Sequence, residues 1–287
     1  MNWMNLPEQY HTSKSRFVIL PIAYEKDVSY GKGASQGPKA IIKASQYMEY
    51  YDEQYDCEAF EDGIIIETIE DMKDKTPEDM ISVVIEKIKK IKENNKNKFI
   101  ISIGGDHAVT NGIIQGMDAV EKEPFGVIQF DAHSDFRESW NNSKYNHACV
   151  AKRIAEKHPL VLLGIRSQDI DEVKTIQDKK NVFVVKAYEY DIKKIRSIIS
   201  ALPKKVYITI DVDVFDPSFI RNTGTPEPGG LGWYDVLKAL EIIFMEKKVI
   251  GADIVEFAPK ENYEAEAYSL ARLTYKIMSL VKKFSKV

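Results

Sequence analysis

Cysteine is nearly absent from this chain. Cys57 and Cys149 are the only 2 among 287 residues, too few for a disulfide framework, so a reducing compartment is expected. Excess positive charge is also missing. The 40 basic side chains are set against 44 acidic ones, net −4, with no basic stripe to follow a phosphate backbone, so nucleic acid is not expected as a partner. No apolar run approaches membrane-spanning length, and Met1 to Tyr10 lacks both the basic and the apolar part of a signal peptide. A cytoplasmic protein with no membrane partner is expected. Linkers, repeats and low-complexity segments are missing as well. Residues 1–287 therefore read as one domain, and a hydrophobic content of 44% suffices for one large core.

What the chain does contain is a series of apolar, β-rich runs: 17–22, 63–66, 99–103, 126–130, 160–164, 182–185, 206–210 and 249–255. Helix-like stretches lie between them. The amphipathic period is clearest over 77–92, where Met80, Val83, Val84, Lys87, Ile88 and Ile91 recur at helical spacing. Thr76 followed by Pro77 reads as an N-cap with proline at the first helical position. Gly37-Pro38 opens a helix over 39–51, and 232–245 and 265–284 complete the alternation. Strands that are apolar throughout, alternating with helices, predict an α/β fold: a buried, mostly parallel sheet of about eight strands with helices on both faces. In such sheets the site lies where the loops leave the carboxyl ends of the strands. The loops 26–37, 135–146 and 215–230 are its expected walls.

Three of the apolar runs end in potential metal ligands. Run 126–130 leads into Asp131-Ala132-His133-Ser134-Asp135, run 206–210 into Asp211-Val212-Asp213, and run 99–103 into Gly104-Gly105-Asp106-His107. Alternate residues of an extended chain point the same way, which would let Asp131, His133 and Asp135 converge, and likewise Asp211 and Asp213. Each stretch alone is compatible with turn chemistry, and Asp106 with capping the next helix. Two acids closing a β-rich run are costly unless something positive sits between them. The three together form a set of carboxylate and imidazole donors that suits manganese better than zinc or calcium. Six donors, four of them anionic, exceed what one ion usually takes, and two ions sharing carboxylates is the economical reading.

These blocks resemble the signature motifs of the ureohydrolases, the family of arginase, agmatinase, formiminoglutamase and guanidinobutyrase. The resemblance rests on Gly104-Gly105-Asp106-His107, Asp131-Ala132-His133-Ser134-Asp135, the run Asp211 to Pro217, the run Thr223 to Gly230, and Asp253-Ile254-Val255-Glu256. Gly33 to Pro38 also resembles the family's N-terminal loop. The resemblance implies an arginase-like three-layer α/β/α fold, two manganese ions (Mn2+) per chain, and hydrolysis of a guanidino group to an amine and urea. Carried over position by position, one ion would take His107, Asp131, Asp135 and Asp211. The other would take Asp131, His133, Asp211 and Asp213. His147 matches the family's proton-relay histidine and Glu256 the acid that grips the guanidinium. Asp135 would accept a hydrogen bond from the nucleophilic water and carry its proton. Trimers or hexamers are implied by resemblance only.

The substrate is narrowed by a missing feature. Arginases follow the aspartate-rich block with an Ile-Asn pair and a later Ser-Gly-Asn stretch; here the chain reads Phe136-Arg137-Glu138-Ser139-Trp140 and then Lys144-Tyr145-Asn146-His147. Without that amino-acid clamp the chain looks more like prokaryotic agmatinases, which make putrescine and urea in polyamine biosynthesis. A small cationic guanidine is the expected partner, with Glu138 or Glu227 near the pocket mouth and Asn222 altering its shape. Arginine, guanidinobutyrate and N-aminopropylagmatine are the alternatives within the family. A zinc deacetylase on the related fold and a non-catalytic metal-binding scaffold are the alternatives outside it. Surface positions are expected for His11 and His158, burial for Cys149, and a helix or interface face for Tyr47, Tyr50, Tyr51 and Tyr55.

Overall fold

A computed structural model describes residues 2–261 and 264–284. Eight strands, β1 (Phe17–Ile22), β2 (Ile64–Ile66), β3 (Phe99–Gly104), β4 (Phe125–Phe130), β5 (Leu160–Ile165), β6 (Val182–Lys186), β7 (Lys205–Asp211) and β8 (Lys248–Val255), form one sheet in the order β2-β1-β3-β8-β7-β4-β5-β6. Every pairing is parallel. The helices are α1 (Gly37–Ser45), α2 (Pro77–Asn94), α3 (Val109–Val120), α4 (Val150–Ala155), α5 (Ile170–Gln177), α6 (Ile192–Ser200), α7 (Trp233–Glu246) and α8 (Glu264–Phe284).

Side-chain alternation along the strands divides the core in two. Phe17 and Ile19, Ile101 and Ile103, and Ile208 and Ile210 pack with α1, α6, α7 and α8 on one face. Val18 and Leu20, Ile100, and Leu160 and Leu162 pack with α2, α3, α4 and α5 on the other. Burial on both faces is why these strands are apolar throughout instead of alternating. The fold is the expected three-layer α/β/α sandwich, with all its pairings parallel.

Helix α1 is shorter than the sequence predicts. It ends at Ser45, whose hydroxyl donates to the Ile42 carbonyl and accepts the Met4 N–H, tying the helix end to the N-terminal segment. Helix α2 starts as expected, with the Thr76 hydroxyl accepting the Asp79 N–H and Pro77 in the first turn.

The site follows from strand order. β3, β8, β7 and β4 are consecutive neighbours at the middle of the sheet. Their carboxyl ends deliver His107, Glu256, Asp211 with Asp213, and Asp131 with His133 and Asp135 to one place.

Candidate metal centre and pocket

The turn after β3 is tight. A Cβ on Gly105 would lie 1.8 Å from the Tyr24 carbonyl oxygen, so only glycine lets the chain pass. Asp106 does more than start a helix: one carboxylate oxygen accepts the Ala108 N–H and the other the Lys26 N–H, tying this turn to the loop after β1. His107 then enters the centre fully buried.

Its surroundings define the protonation state of the ring. Thr209 Oγ1 donates to Asp253 Oδ1 at 2.6 Å, so at 3.0 Å it accepts from His107 Nε2. Asp253 is also held by the Tyr207 hydroxyl at 2.9 Å and by Thr110 Oγ1 at 3.3 Å. With that proton on Nε2, Nδ1 is the ring's ligand atom, and it has no aligned hydrogen-bond partner. It faces oxygens of Asp131, Asp135 and Asp211 at 3.3, 3.1 and 3.3 Å. Burial opposes charge on the ring, but those three acids outweigh it and raise its pKa well above the ordinary imidazole value, so the position calls for a positive charge, a proton or a metal ion.

Asp131 also belongs to a second group, with His133 and Asp213, whose donor atoms lie within 4.8 Å of one another, as do those of His107, Asp131 and Asp135. His133 Nδ1 is 2.9 Å from Asp213 Oδ2 and 3.7 Å from Asp131 Oδ1. Asp131 is held by Gln129 Nε2 and the His133 N–H, and Asp213 by the Ala132 N–H. The convergence is not the simple alternation expected from extended chain. Asp135 adopts a left-handed backbone with φ 47°, and Asp213 lies in a 3-10 turn whose N–H is accepted by Asp211.

Protons take up the charge when no cation does. Burial, with Asp135 and Asp213, pushes the Asp131 carboxyl up to about 7. Burial, with Asp213 and Asp131, raises Asp211 well above the carboxylate range. Burial opposes charge on His133, but Asp213, Asp131 and Asp135 outweigh it and push the ring up to about 11. Two imidazoles and four carboxylates with no thiolate, one buried nitrogen unpartnered and aimed at three acids, fit divalent manganese.

Above this centre lies a cavity of about 320 Å³, floored by His133, Asp135, Asp211, Asp213 and Glu256. Its walls come from all three anticipated loops, including Ser29 and Tyr30, Arg137 and Trp140, and Gly224 and Thr225. A fourth wall, Ser167 to Asp169 with Glu172, follows β5 and was not anticipated. Glu256 has a positive φ of 68°, and its carboxylate accepts the His107 N–H at 2.6 Å. Burial and Asp106 raise its pKa well above the usual range. His147 follows Asn146, whose side chain accepts the Ala148 N–H. Burial lowers the pKa of His147, and its Nε2 lies 2.9 Å from Ser29 Oγ.

Comparison with known proteins supplies the lineage. The Arginase family model matches residues 15–279. The chain belongs to that family. It is 38% identical over 270 residues to an N(1)-aminopropylagmatine ureohydrolase of Synechocystis, covering 91% of this chain and 87% of that one. It is 35% identical to an agmatinase of Pyrococcus horikoshii, covering 92% and 91%. The crystal structure of an agmatine ureohydrolase from Thermoplasma volcanium matches with a TM-score of 0.85 at 27% identity, over 95% of this chain and 92% of that one.

Within this arginase-family frame several expectations are corrected. Glu138 turns away from the pocket to Arg153 and Lys152. Glu227 stands near the cavity as anticipated, 3.9 Å from Nε2 of the lining residue His133, without itself lining it. Asn222 is buried against Glu266 and cannot shape the pocket directly. His158 is not a surface residue: it is 5% exposed, stacked on Phe125, and bonded to the Phe125 carbonyl and Asp118. His11 is half-buried between the carbonyls of Leu6 and Ile64. Cys149 is buried as expected; among the tyrosines Tyr55 is buried and Tyr47 and Tyr51 are exposed. Among the described residues no helix is long and apolar enough to cross a membrane.

Sequence reasoning missed Arg166. Its guanidinium donates to the carbonyls of Gly164, Asp213, Val214, Phe215, Glu227 and Pro228. It thereby fixes the segment carrying Asp213 and the far end of the 215–230 loop. Its partners lie up to 62 residues away, so no local pattern announces it.

Proposed function

We propose that this arginase-family chain is a binuclear-manganese ureohydrolase that cleaves the guanidino group of agmatine or of its N(1)-aminopropyl derivative. Water is consumed, and urea is released with the corresponding amine, putrescine in the case of agmatine. The observation that carries the reading is the buried Nδ1 of His107, without an aligned hydrogen-bond partner and facing three carboxylates beneath a pocket.

His107, Asp131, Asp135 and Asp211 would hold one ion, and Asp131, His133, Asp211 and Asp213 the other. When bound, such a pair supplies Lewis acidity and lowers the pKa of water. The remaining work falls to side chains. Glu256, anchored by the His107 N–H, would take two N–H groups of the guanidinium as a fork and orient its central carbon. Asp135 would accept the proton of the attacking water. His147, kept largely neutral by burial, would collect a proton and deliver it to the departing amine, without which the tetrahedral carbon cannot collapse to products.

The far wall lacks a ready anchor for a carboxylate. Glu172 spends both carboxylate oxygens on the Phe136 and Asp169 N–H groups, Asp169 accepts the Asp171 N–H and pairs with Arg137 at 3.5 Å, and Arg137 lies 4.5 Å over the Trp140 ring. An arginine carboxylate would meet only charges already engaged there, and an unpaired charge costs several kcal/mol when desolvated. The likeness to the Synechocystis N(1)-aminopropylagmatine ureohydrolase supports the aminopropylated substrate, and that to the Pyrococcus horikoshii agmatinase supports agmatine itself. The test is urea release from agmatine, N(1)-aminopropylagmatine and arginine side by side in manganese. Both polyamine guanidines should exceed arginine in kcat/KM by about 10²-fold or more. Equal turnover of arginine would overturn the substrate assignment and make Arg137 a carboxylate anchor.

A further inference from the structure

We propose that Ser29 is a positioning residue for His147: its hydroxyl fixes the orientation of the imidazole, with Nε2 turned towards the pocket. The inference rests on His147 being the proton donor described above.

The two residues are 118 positions apart, yet Ser29 Oγ lies 2.9 Å from His147 Nε2, and both line the cavity. The other ring nitrogen, Nδ1, is enclosed with no hydrogen-bond partner. A neutral imidazole carries one N–H. The Ser29 hydroxyl can donate to Nε2 when that nitrogen is bare and accept from it when it is protonated, so one contact holds the ring before and after it collects a proton. Burial, which lowers the pKa of His147, keeps the resting ring neutral. Without the hydroxyl both nitrogens would lack a protein partner, and nothing would fix the rotation of the ring.

The hydroxyl is held in place by the fold, although Ser29 itself is exposed. On one side of it the Lys26 N–H is bonded to Asp106, the residue preceding His107. On the other the Gly31 N–H is bonded to the Gly224 carbonyl, and a Cβ on Gly31 would approach the carbonyl oxygens of Thr223 and Gly224 to 2.9 Å. The Glu25 carboxylate closes the loop by accepting from Gly33 and Ser35. Ser29 is thus tied to the same turn that places His107, and it meets His147 from above.

The experiment compares Ser29→Ala, Ser29→Thr, His147→Ala and the Ser29→Ala/His147→Ala double variant as manganese-loaded full-length enzymes. Ser29→Ala should lower kcat by about 10-fold, the value of one hydrogen bond, with KM and manganese content unchanged. Ser29→Thr, which keeps the hydroxyl, should restore most of the rate. The double variant should be no slower than His147→Ala, because Ser29 acts only through that ring. Wild-type kcat in Ser29→Ala beside a slow His147→Ala overturns the proposal and leaves the relay standing. So does a double variant slowed by the full product of the two single effects. Wild-type kcat in His147→Ala would remove the relay itself, and Ser29's role with it.

Discussion

Replacing Thr209 by valine removes one hydroxyl that serves two neighbours while changing the side-chain volume little. That hydroxyl accepts the Nε2–H of His107 at 3.0 Å and donates to Asp253 at 2.6 Å. The first bond is worth about 1 kcal/mol and the second, to a carboxylate, about 1.5–3 kcal/mol. Asp253 keeps the Tyr207 and Thr110 hydroxyls, so part of the second loss is absorbed. A stability loss of about 1–3 kcal/mol follows for the metal-free chain. The larger consequence concerns the metal. His107 would lose the partner that holds its proton on Nε2 and its Nδ1 in the centre. Outer partners of this kind are worth about 10–100-fold in metal affinity. Calorimetric titration of manganese into stripped wild type, Thr209→Val and Thr209→Ser, with Tm recorded alongside, measures both effects. Thr209→Ser should stay near wild type. A valine variant that loses Tm but binds manganese as tightly as wild type would show that the hydroxyl supports the core without orienting the ligand.

Arg166→Met should cost about 2–4 kcal/mol in a denaturant titration, because a charged donor is lost and several half-buried carbonyls are left unpaired; an unchanged midpoint would mean that water replaces it. Manganese binding should release protons, more at pH 6 than at pH 8. His133, with its pKa pushed up to about 11, is protonated in the metal-free chain at both, whereas Asp131, at about 7, is mostly protonated only at the lower. Apparent affinity should accordingly fall as pH drops through 7, and titrations in buffers of different ionisation enthalpy count the protons. Asp131→Asn should weaken both ions, since Asp131 belongs to both donor groups; full retention of one tightly bound ion would contradict the shared position. His147→Ala should lower kcat by about 10²–10⁴-fold in a urea-release assay with metal content intact.

The sheet was legible because its strands are buried on both faces and therefore apolar from end to end, as in Phe99–Gly104 and Leu160–Ile165. The donors were legible because each follows such a run directly. Helix α3 was harder to read: Gly112 and Gly116 weaken its signal. Both are explained by tertiary packing, since a Cβ at Gly112 would lie 2.9 Å from Val84 and one at Gly116 3.0 Å from Ile88, both on α2. Thr209 lies inside the apolar run 206–210 and Asp253 within a quoted motif, but their service to His107 depends on β7 and β8 being neighbours, which only the fold reveals. Arg166 and Ser29 act across long sequence separations from loops. His158 was misplaced because a histidine stacked on a phenylalanine has the same local sequence as one in solvent.

The most direct measurement loads metal-stripped chain with manganese in fractional equivalents and follows urea release from N(1)-aminopropylagmatine and agmatine at each step. The account predicts that activity rises to a plateau at two ions per chain. A plateau at one ion, or two ions bound tightly with no urea from any guanidine, would contradict it.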